Sequence, residues 1–436
     1  MSSLLRILVL GGNGLIGLAV VRGLHAAGHE VVGLGRSAKN GARLFPQIEW
    51  RSADIAALRS AQDWLPLLVN VNVVINASGA LQDGSRDNLE HIHHTAIAAL
   101  VSACGSIAGI RLVQISAPGA AATATTEFMR SKSRGDDAIK RSRLNWIVLR
   151  PGLVIGPNAY GGSALLRMMA AFPWAHVPAF AGKRIQTVAM SDVAQVVLEA
   201  AEGRLPARSD VDLVAPAPET LQQLIDRLRI WLGFGPATLS IAVPRFAFGI
   251  VSWFADLLGH LGWRSPLRTN AVLALENEVL GDAAKLRQLR GADLMSLEQT
   301  LAAMPATIQE RWFASLALLM PIMVATLSLF WLLSGLFGAL SVDRAAALLP
   351  SSVVSLQIAK ILVLSGIAVD IVLGAAILNR PTARLTCIGM IAVSISYLVA
   401  GTVLTPALWL DPLGPFVKVL PSTLLAAVTW VVLEER

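Results

Sequence analysis

A glycine-rich turn near the start of the chain has the residue types and spacing to bind a dinucleotide. It reads Gly-Gly-Asn-Gly-Leu-Ile-Gly from Gly11 to Gly17. In this pattern Gly11 permits the tight turn, Gly14 lets the backbone approach a pyrophosphate, and Gly17 permits close packing of the following helix. The anion would lie on free N–H groups at the helix N-terminus. The residues predicted to contact the cofactor here are Gly11, Asn13, Gly14, Leu15, Ile16 and Gly17.

The elements that must position this turn can be read on either side of it. Residues 5–10 form a short apolar run without alternation, which predicts a buried strand. Residues 18–27 predict a helix that Gly28 would end, and residues 30–34 predict a second strand. A strand, glycine turn, helix and strand within about 35 residues is typical of dinucleotide binding. The predicted fold class is therefore α/β, with a doubly wound parallel sheet.

The residues after the second strand distinguish NAD from NADP. An acidic residue about 20 positions beyond the glycines would bind the ribose 2′-hydroxyl of NAD, whereas an arginine suits the 2′-phosphate of NADP. Arg36 and Lys39 occur here, and no acid does. Because a guanidinium can form paired hydrogen bonds with a phosphate, the sequence favours NADP(H). The alternative is that Arg36 is a solvated loop residue.

Charge is distributed unevenly along the chain. Of 436 residues, 36 are Lys or Arg and 29 are Asp or Glu, and only 12 of these charged residues lie after residue 310. Four nearly charge-free runs cover residues 312–340, 352–378, 385–410 and 414–433. Each reaches the length of about 20 residues that a membrane-spanning helix needs. They predict an all-α transmembrane four-helix bundle, with four buried helices of a soluble bundle as the alternative.

The charged residues between the predicted spans indicate an orientation. Arg311, Arg380 and Arg384 lie on one side, which predicts that this side is cytoplasmic. The C-terminus and the first 310 residues would then lie on the cytoplasmic side of the cell (inner) membrane. The net charge of +7 suits the anionic inner leaflet, and no basic run with interleaved aromatic residues indicates nucleic-acid binding. Cys104 would be in a reducing compartment and Cys387 in the bilayer, so we expect no disulfide.

Several further motifs resemble the short-chain dehydrogenase/reductase superfamily, in its extended and atypical branches, over residues 4–300. Beside the glycine turn, the segments that carry the resemblance are residues 52–55, 73–79, 112–120, 149–157 and 188–194. The resemblance implies a Rossmann domain similar to the group of the NADPH-binding accessory subunit of respiratory complex I. It implies cofactor contacts by Asp54, Ala77, Ser78, Gly79, Lys132, Pro151 and Gly152.

The catalytic residues that the resemblance implies are incomplete. In this superfamily a Tyr moves the proton, a Lys lowers the pKa of that Tyr and holds the ribose, and a Ser orients the substrate carbonyl. The resemblance assigns Ser116 and Lys132 to the last two roles, but Phe128 stands at the tyrosine position. The chain has two tyrosines, and Tyr160 lies in a predicted loop after Gly156-Pro157. We predict Tyr160 as a candidate catalytic residue, with an ordinary loop tyrosine as the alternative.

Three interpretations of this departure remain open. The protein is a reductase that uses another acid, such as Ser116, Tyr160 or a water molecule. Alternatively, it binds NADP(H) without turning it over, as a structural or sensing module. In the third interpretation, the chemistry depends on the membrane domain. Hydride transfer itself requires only that the nicotinamide be positioned.

Three histidines, His91, His93 and His94, cluster at the start of a predicted helix. No Cys or acid is spaced to complete a metal site with them, so we predict no metal. We interpret them as surface or cleft histidines, with metal binding as the alternative. The resemblance places His91 at a helix position often occupied by Asn, where it would touch the active-site backbone.

The predicted spans resemble the DoxX-like membrane family, through residues 359–374 and Arg380-Pro381. Asp370 lies well inside the second span, where a carboxylate is costly and marks a functional candidate for binding a proton or a quinone headgroup. A neutral, hydrogen-bonded packing acid is the alternative. Residues 244–263 are rich in Phe, Trp and Leu. They predict either an interfacial helix on the membrane or a covering helix of the substrate lobe.

Together these features predict three regions. Residues 1–240 would form the NAD(P)-binding domain with a small substrate lobe, residues 241–310 a helical connecting region, and residues 311–436 the transmembrane domain. The predicted function is a membrane-tethered oxidoreductase that binds NADP(H) and acts on a membrane-soluble quinone or lipid. The alternative is a non-catalytic NADP(H)-binding structural, sensing or assembly protein of the membrane.

Overall fold

The computed structural model divides the chain into two compact units. It describes residues 4–80, 83, 87–172, 181–236, 245–263, 278–412 and 414–434. The first unit comprises Met1–Ser252 and Pro266–Thr307, and the second comprises Trp253–Ser265 and Ile308–Arg436. The predicted connecting region, residues 241–310, therefore contributes to both units.

A parallel sheet of seven strands forms the centre of the first unit, in the spatial order β10-β6-β5-β4-β1-β2-β3. The strands of this sheet are β1 (Arg6–Leu10), β2 (Glu30–Gly35), β3 (Glu49–Ser52), β4 (Val73–Asn76), β5 (Arg111–Ile115), β6 (Asn145–Pro151) and β10 (Ser209–Leu213). Two small sheets pair β7 (Leu153–Ile155) with β9 (Thr187–Ala189) and β8 (Arg184–Ile185) with β11 (Glu219–Thr220). The predicted doubly wound parallel sheet is confirmed.

Helices alternate with these strands. In the first unit they are α1 (Leu15–Ala26), α2 (Ala38–Leu44), α3 (Ala61–Trp64), α4 (Ala96–Gly105), α5 (Glu127–Lys140), α6 (Gly162–Ala171), α7 (Met190–Ala201) and α8 (Leu221–Trp231). Helix α9 (Arg245–His260) runs from the first unit into the second, and α10 (Ala283–Arg290) and α11 (Leu297–Ala302) return to the first. A π-helical turn, His91–Thr95, leads directly into α4.

Two apolar cores lie on opposite faces of the sheet. Ile7 and Val9 of β1 belong to one core together with residues of α1 and α7. Leu8 and Leu10 belong to the other, with residues of α4 and α5. Because successive strand residues point to opposite faces, a strand covered on both sides must be apolar throughout. This explains why residues 7–10 of β1 are all apolar, while the charged Arg6 lies at the partly exposed start of the strand.

The strand order places two chain segments together at one edge of the sheet. Strand β1 pairs with β2 on one side and with β4 on the other. The chain therefore leaves β1 and β4 at adjacent points of the carboxyl edge, where the direction of winding reverses. In open parallel sheets, ligands bind in the crevice at such a point.

The second unit contains four helices that are long and apolar enough to span a membrane. They are α12 (Ile308–Ala339), α14 (Leu356–Ala376), α15 (Arg380–Leu404) and α16 (Pro415–Val432), and the short helix α13 (Val342–Ala347) precedes α14. Glycines allow α12 and α14 to pack closely. A Cβ at Gly335 would lie 2.6 Å from Ile371 Cγ1, and one at Gly374 would lie 2.8 Å from Leu332 Cγ. Small residues of this kind are typical of helix contacts in membranes.

Candidate functional site

The glycine turn joins β1 to α1 at the carboxyl edge of the sheet. Gly11 has a φ of +68°, and a Cβ there would lie 2.8 Å from Ser78 Cα. A Cβ at Gly17 would lie 2.1 Å from the carbonyl oxygen of Gly11. No other residue type fits either position without moving the backbone. The turn therefore has the shape that the sequence pattern predicts.

The N-terminus of α1 is open to an anion. Gly14 is its N-cap, and no side chain caps this end of the helix. Gly14 is exposed, and the first two helical residues, Leu15 and Ile16, are partly exposed. The first amide groups of an α-helix have no partner within the helix, so they can bind a phosphate. Asn13 lies beside this end, with its Oδ1 2.6 Å from the position that a Cβ of Gly35 would occupy.

Arg36 follows β2 directly, and its side chain is half-exposed. Its Nη1 donates to Asp87 Oδ1 at 2.8 Å. Ser37 next to it caps α2 by accepting a hydrogen bond from Asn40 N. Arg36 thus has an accessible guanidinium at the end of β2, balanced by one acid.

Asp54 and the residues after β4 continue this edge of the sheet. The Asp54 carboxylate accepts a hydrogen bond from Ala56 N at 3.1 Å and caps a 3₁₀ turn. Asn76 ends β4, and its Oδ1 accepts from Ser78 N at 3.1 Å. A Cβ at Gly11 would lie 2.9 Å from Ala77 O. The loop after β4 therefore lies directly against the glycine turn.

A buried histidine connects the loop after β4 to helix α5. His93 Nε2 accepts a hydrogen bond from Ala80 N at 3.2 Å, and His93 Nδ1 lies 2.9 Å from Ser131 Oγ. Since Nε2 accepts, the proton is on Nδ1, which donates to Ser131, and Ser131 in turn donates to Phe128 O. Burial, together with the positive charges of Lys132 and Arg134, lowers the pKa of His93 to about 2. His93 is therefore neutral, with a single tautomer.

The other two histidines have separate partners, which corrects the expectation for His91. His91 Nδ1 lies 3.1 Å from a guanidinium nitrogen of Arg59, and His94 Nδ1 lies 2.6 Å from Glu90 Oε1. His93 rather than His91 accepts a hydrogen bond from the backbone of the loop after β4, because residues two apart on a helical turn point to nearly opposite sides. Among the residues that the structure describes, no group of His, Cys, Asp or Glu could hold a metal ion.

Lys132, in α5, is buried near the loop after β4. Its Nζ donates to the carbonyl oxygen of Ile115 at 3.0 Å and lies 5.6 Å from the centre of the Phe128 ring. A Cβ at Gly79 would lie 3.8 Å from this Nζ. Burial lowers the pKa of Lys132 to about 8, although the nearby Asp136 carboxylate opposes the shift. Lys132 is thus an amine that can lose its proton close to neutral pH, beside the loop after β4.

Ser116 belongs to a buried charged cluster that the sequence reasoning missed. Its Oγ donates to Asp136 Oδ2 at 2.5 Å, and Arg150 Nη2 lies 2.9 Å from the same carboxylate oxygen. Arg150 also donates from Nε to Asp210 Oδ1 at 2.7 Å. Burial raises the pKa of Asp136, and the Arg150 charge opposes this.

Two signals in the sequence point to this cluster. Asp136 lies four residues after Lys132, so both lie on one face of a helix. Arg150 follows the buried apolar residues 146–149 of β6, where a charge needs a partner because an unpaired buried ion is costly.

The remaining predicted residues lie at the end of β6 and in the segments that follow it. Pro151 ends β6, and Gly152 N donates to Leu213 O at 2.9 Å. A Cβ at Gly152 would lie 2.5 Å from Gln186 O, so this position also requires glycine. Tyr160 lies in the loop between β7 and α6 and is 57% exposed. Its backbone N–H donates to Ser163 Oγ.

The second unit has a polar cluster of its own inside the helix bundle. Asp370, in α14, is buried. Its carboxylate accepts hydrogen bonds from Ser334 Oγ at 2.6 Å and from Tyr397 OH at 3.1 Å. These two donors come from α12 and α15, so the acid joins three spanning helices.

Two parts of the chain match known protein families. Residues 11–203 match a family described as NAD(P)H-binding, and residues 328–428 match the DoxX-like family. Comparison with curated proteins found no match. The chain therefore contains an NAD(P)-binding Rossmann domain followed by a DoxX-like domain. The predicted resemblance is confirmed at this level.

Solved structures show the same fold in the N-terminal part. UDP-glucose 4-epimerase from Thermotoga maritima is 16% identical, covers 68% of this chain and 96% of its own, and has a TM-score of 0.50. The Bordetella bronchiseptica enzyme WbmG, in complex with NAD and UDP, is 15% identical, covers 72% of this chain and 97% of its own, and has a TM-score of 0.52. An epimerase from Methanothermobacter thermautotrophicus is 14% identical, covers 72% of this chain and 93% of its own, and has a TM-score of 0.52.

Proposed function

We propose that this chain is a membrane-tethered oxidoreductase that binds NADP(H) and reduces an apolar substrate from the bilayer, a quinone or a lipid. The observation that carries the proposal is the position of Lys132, a buried amine with a pKa of about 8 beside the loop that follows β4. The four spanning helices of the same chain support an apolar substrate, because a tether raises the effective concentration of membrane-soluble molecules.

NADP(H) is the proposed cofactor because Arg36 is accessible directly after β2. A guanidinium there can bind a ribose 2′-phosphate, whereas an acid would favour the 2′-hydroxyl of NAD. The glycine turn and the open N-terminus of α1 would hold the pyrophosphate. Pro151 and Gly152 would line the nicotinamide, and Asp54 the adenine.

The proposed reaction needs one proton besides the hydride. A bound nicotinamide would supply the hydride, that is two electrons and one proton. Lys132 would supply the second proton to the substrate oxygen, since its pKa of about 8 lies near the operating pH. In this proposal Phe128 replaces the tyrosine that usually does so. Ser116 and Tyr160 would help to orient the substrate.

A second candidate function is NADP(H) binding without turnover, in a structural, sensing or assembly role. The observation that favours it is that the ring beside Lys132 belongs to Phe128, which has no proton to transfer. The amine of Lys132 is moreover hydrogen-bonded to the backbone at Ile115. Both candidates require the cofactor, and they differ in whether a substrate is reduced.

We also propose that the Rossmann domain and the C-terminus lie in the cytoplasm, with the chain in the cell (inner) membrane. Arg380 and Arg384 in the first turns of α15 support this, since basic residues concentrate near the cytoplasmic ends of spanning helices.

The test is an NADPH oxidation assay on the full-length protein in lipid nanodiscs. Quinones, enones and long-chain aldehydes serve as acceptors, and NADPH affinity is measured in parallel. We expect turnover with at least one acceptor and a loss of roughly 100-fold or more in Lys132→Met, the usual contribution of a proton donor. Phe128→Tyr should retain or raise the rate. NADPH binding with no turnover of any acceptor would establish the second candidate.

The cofactor preference has its own control. Arg36→Ala should lower the affinity for NADPH about tenfold or more and leave NADH binding nearly unchanged, because a hydrogen bond to a charged group contributes about 1.5–3 kcal/mol. Arg43→Ala removes an exposed arginine from α2 and should change neither affinity. A failure of the wild-type protein to bind either nucleotide would contradict both candidate functions.

A further inference from the structure

Helix α9 presents large apolar side chains to the outside, whereas Leu258 packs against the apolar core of the second unit. Among the α9 side chains that the structure describes, Ile250, Trp253, Phe254 and Leu257 are large, apolar and at least half-exposed, and Leu261 follows just after the helix end. Ser252 and Ala255 are buried instead. Since helix residues are about 100° apart, the four exposed residues within α9 form one stripe, and Leu261 follows its end. A water-exposed surface helix would carry polar residues on this outer face.

The last part of this helix belongs to the compact unit that contains the spanning helices. Trp263 Nε1 donates to Leu378 O at 2.6 Å, and Arg380 N donates to Leu261 O at 2.9 Å. Trp263 is buried in the apolar core of this unit. The chain after α9 is therefore fixed to the turn between α14 and α15, where two spanning helices end.

The same turn has the residue types that mark a membrane surface. The Arg380 guanidinium lies 5.5 Å from the centre of the Trp263 ring, and the Arg384 guanidinium lies 5.1 Å from that of Trp430. Trp and Arg concentrate at the interface between lipid tails and water. The exposed stripe of α9 thus leads into the interfacial end of the helix bundle.

We propose that α9 is an interfacial helix whose exposed stripe inserts into the bilayer surface. The occupant of this face is lipid, because the stripe is continuous with a unit whose own surface is lipid-facing and because it ends at the Trp and Arg residues of the interface. Burial among headgroups and upper acyl chains removes Trp253, Phe254 and Leu257 from water. A second copy of the chain or another protein would cover the stripe without lipid contact.

Spin labelling of the full-length protein in nanodiscs of phosphatidylethanolamine and phosphatidylglycerol tests this inference. Single cysteines replace Trp253, Phe254 or Leu257 in a Cys104→Ala, Cys387→Ala background. Ile230→Cys in α8 is the water-facing control, since Ile230 is 74% exposed, and Leu362→Cys in α14 is the lipid-facing control. Collision of each label with molecular oxygen and with a water-soluble nickel chelate is then measured.

We expect oxygen collisions to exceed nickel collisions at all three α9 positions, as at Leu362, and the reverse at Ile230. Nickel accessibility at the α9 positions equal to that at Ile230 would overturn the proposal in favour of a water-exposed helix. Suppression of both collisions would overturn it in favour of a protein partner or a second copy. Because these side chains are exposed, their replacement does not disturb the core. Agreement of three separate positions guards against a local effect of any one label.

Discussion

Two buried groups with opposite roles meet beside the loop after β4. Lys132 has a pKa near 8 and can exchange a proton, whereas His93, with a pKa near 2, stays neutral and holds two elements together. Their surroundings explain the difference. Both are buried, but Asp136 favours the charged form of Lys132, and the positive charges of Lys132 and Arg134 disfavour that of His93.

Lys132 makes stability depend on pH in a definite direction. Its folded-state pKa of about 8 lies below the ordinary 10.5, so between these values the folded protein binds fewer protons than the unfolded chain. The free energy of unfolding therefore rises with pH between these values. Below about pH 8 the buried Lys132 is charged, and the folded state carries the full cost of burying that charge. We expect Lys132→Met to be stabilised relative to wild type below pH 8, with the advantage declining as the pH rises towards 10.5.

Thermal unfolding of both proteins in detergent, over a series of pH values, measures this difference. The difference between a pKa of about 8 and the ordinary 10.5 corresponds to at most about 3–4 kcal/mol, from which the loss of the Lys132 hydrogen bond is subtracted. A difference in unfolding temperature that is independent of pH would contradict a buried, titrating Lys132.

At the scale of elements, close approach of backbones shapes the cofactor edge. The turn after β1 touches the loop after β4 through Gly11, and helix α5 lies against the π-helical turn through Gly135. A Cβ at Gly135 would lie 1.9 Å from His93 O. Glycine is required at these points by contacts between elements and not only by local backbone angles.

Helix α1 contains one glycine that a close backbone contact requires, Gly17, and one that no such contact requires, Gly23. A Cβ at Gly17 would lie 2.1 Å from Gly11 O, whereas a Cβ at Gly23 has no neighbour nearer than 3.8 Å. We expect Gly17→Ala to displace the turn and abolish nucleotide binding. Gly23→Ala should keep the affinity and raise helix stability by about 1 kcal/mol, the difference in helix propensity.

Isothermal titration with NADPH, combined with unfolding temperatures of both variants, tests this expectation. Equal affinities in the two variants would show that the turn does not contact the cofactor. A loss of affinity in Gly23→Ala would show that the whole helix, and not the turn alone, is sensitive to substitution.

At the scale of the whole molecule, one chain combines a dinucleotide-binding domain with a bundle that has the surface of a membrane protein. Most large apolar side chains of the spanning helices are exposed in the absence of lipid. In water this surface would cause aggregation, and in a bilayer it is the stable arrangement. One polypeptide therefore joins a dinucleotide-binding domain to helices that can enter a lipid bilayer.

The proposed orientation is testable by cysteine labelling of intact cells. In the background without Cys104 and Cys387, Ser351→Cys lies between α13 and α14, and Asn40→Cys lies on the Rossmann domain; both positions are exposed. We expect a membrane-impermeant maleimide to label position 351 in intact cells and position 40 only after permeabilisation. Labelling of position 40 in intact cells would reverse the orientation.

The sequence by itself determined the fold class and the spanning helices. The strand, turn and helix at residues 5–27 depend on local residue types, and the four spans depend on the length of apolar runs. Both can therefore be predicted from the sequence alone. The glycine spacing likewise indicates a dinucleotide-binding fold from local residue types alone.

Only the tertiary structure decided which distant side chains meet. The pairing of Asp136 with Arg150 and Asp210, the tautomer of His93, and the junction of Asp370 with Ser334 and Tyr397 each join residues from separate elements. The direction of the α9 stripe is also decided only by the tertiary structure. An apolar stripe has the same residue spacing whether it faces a core or a bilayer. Its direction depends on Trp263 and Arg380, which fix the chain at the end of the bundle, and such contacts follow from packing in three dimensions.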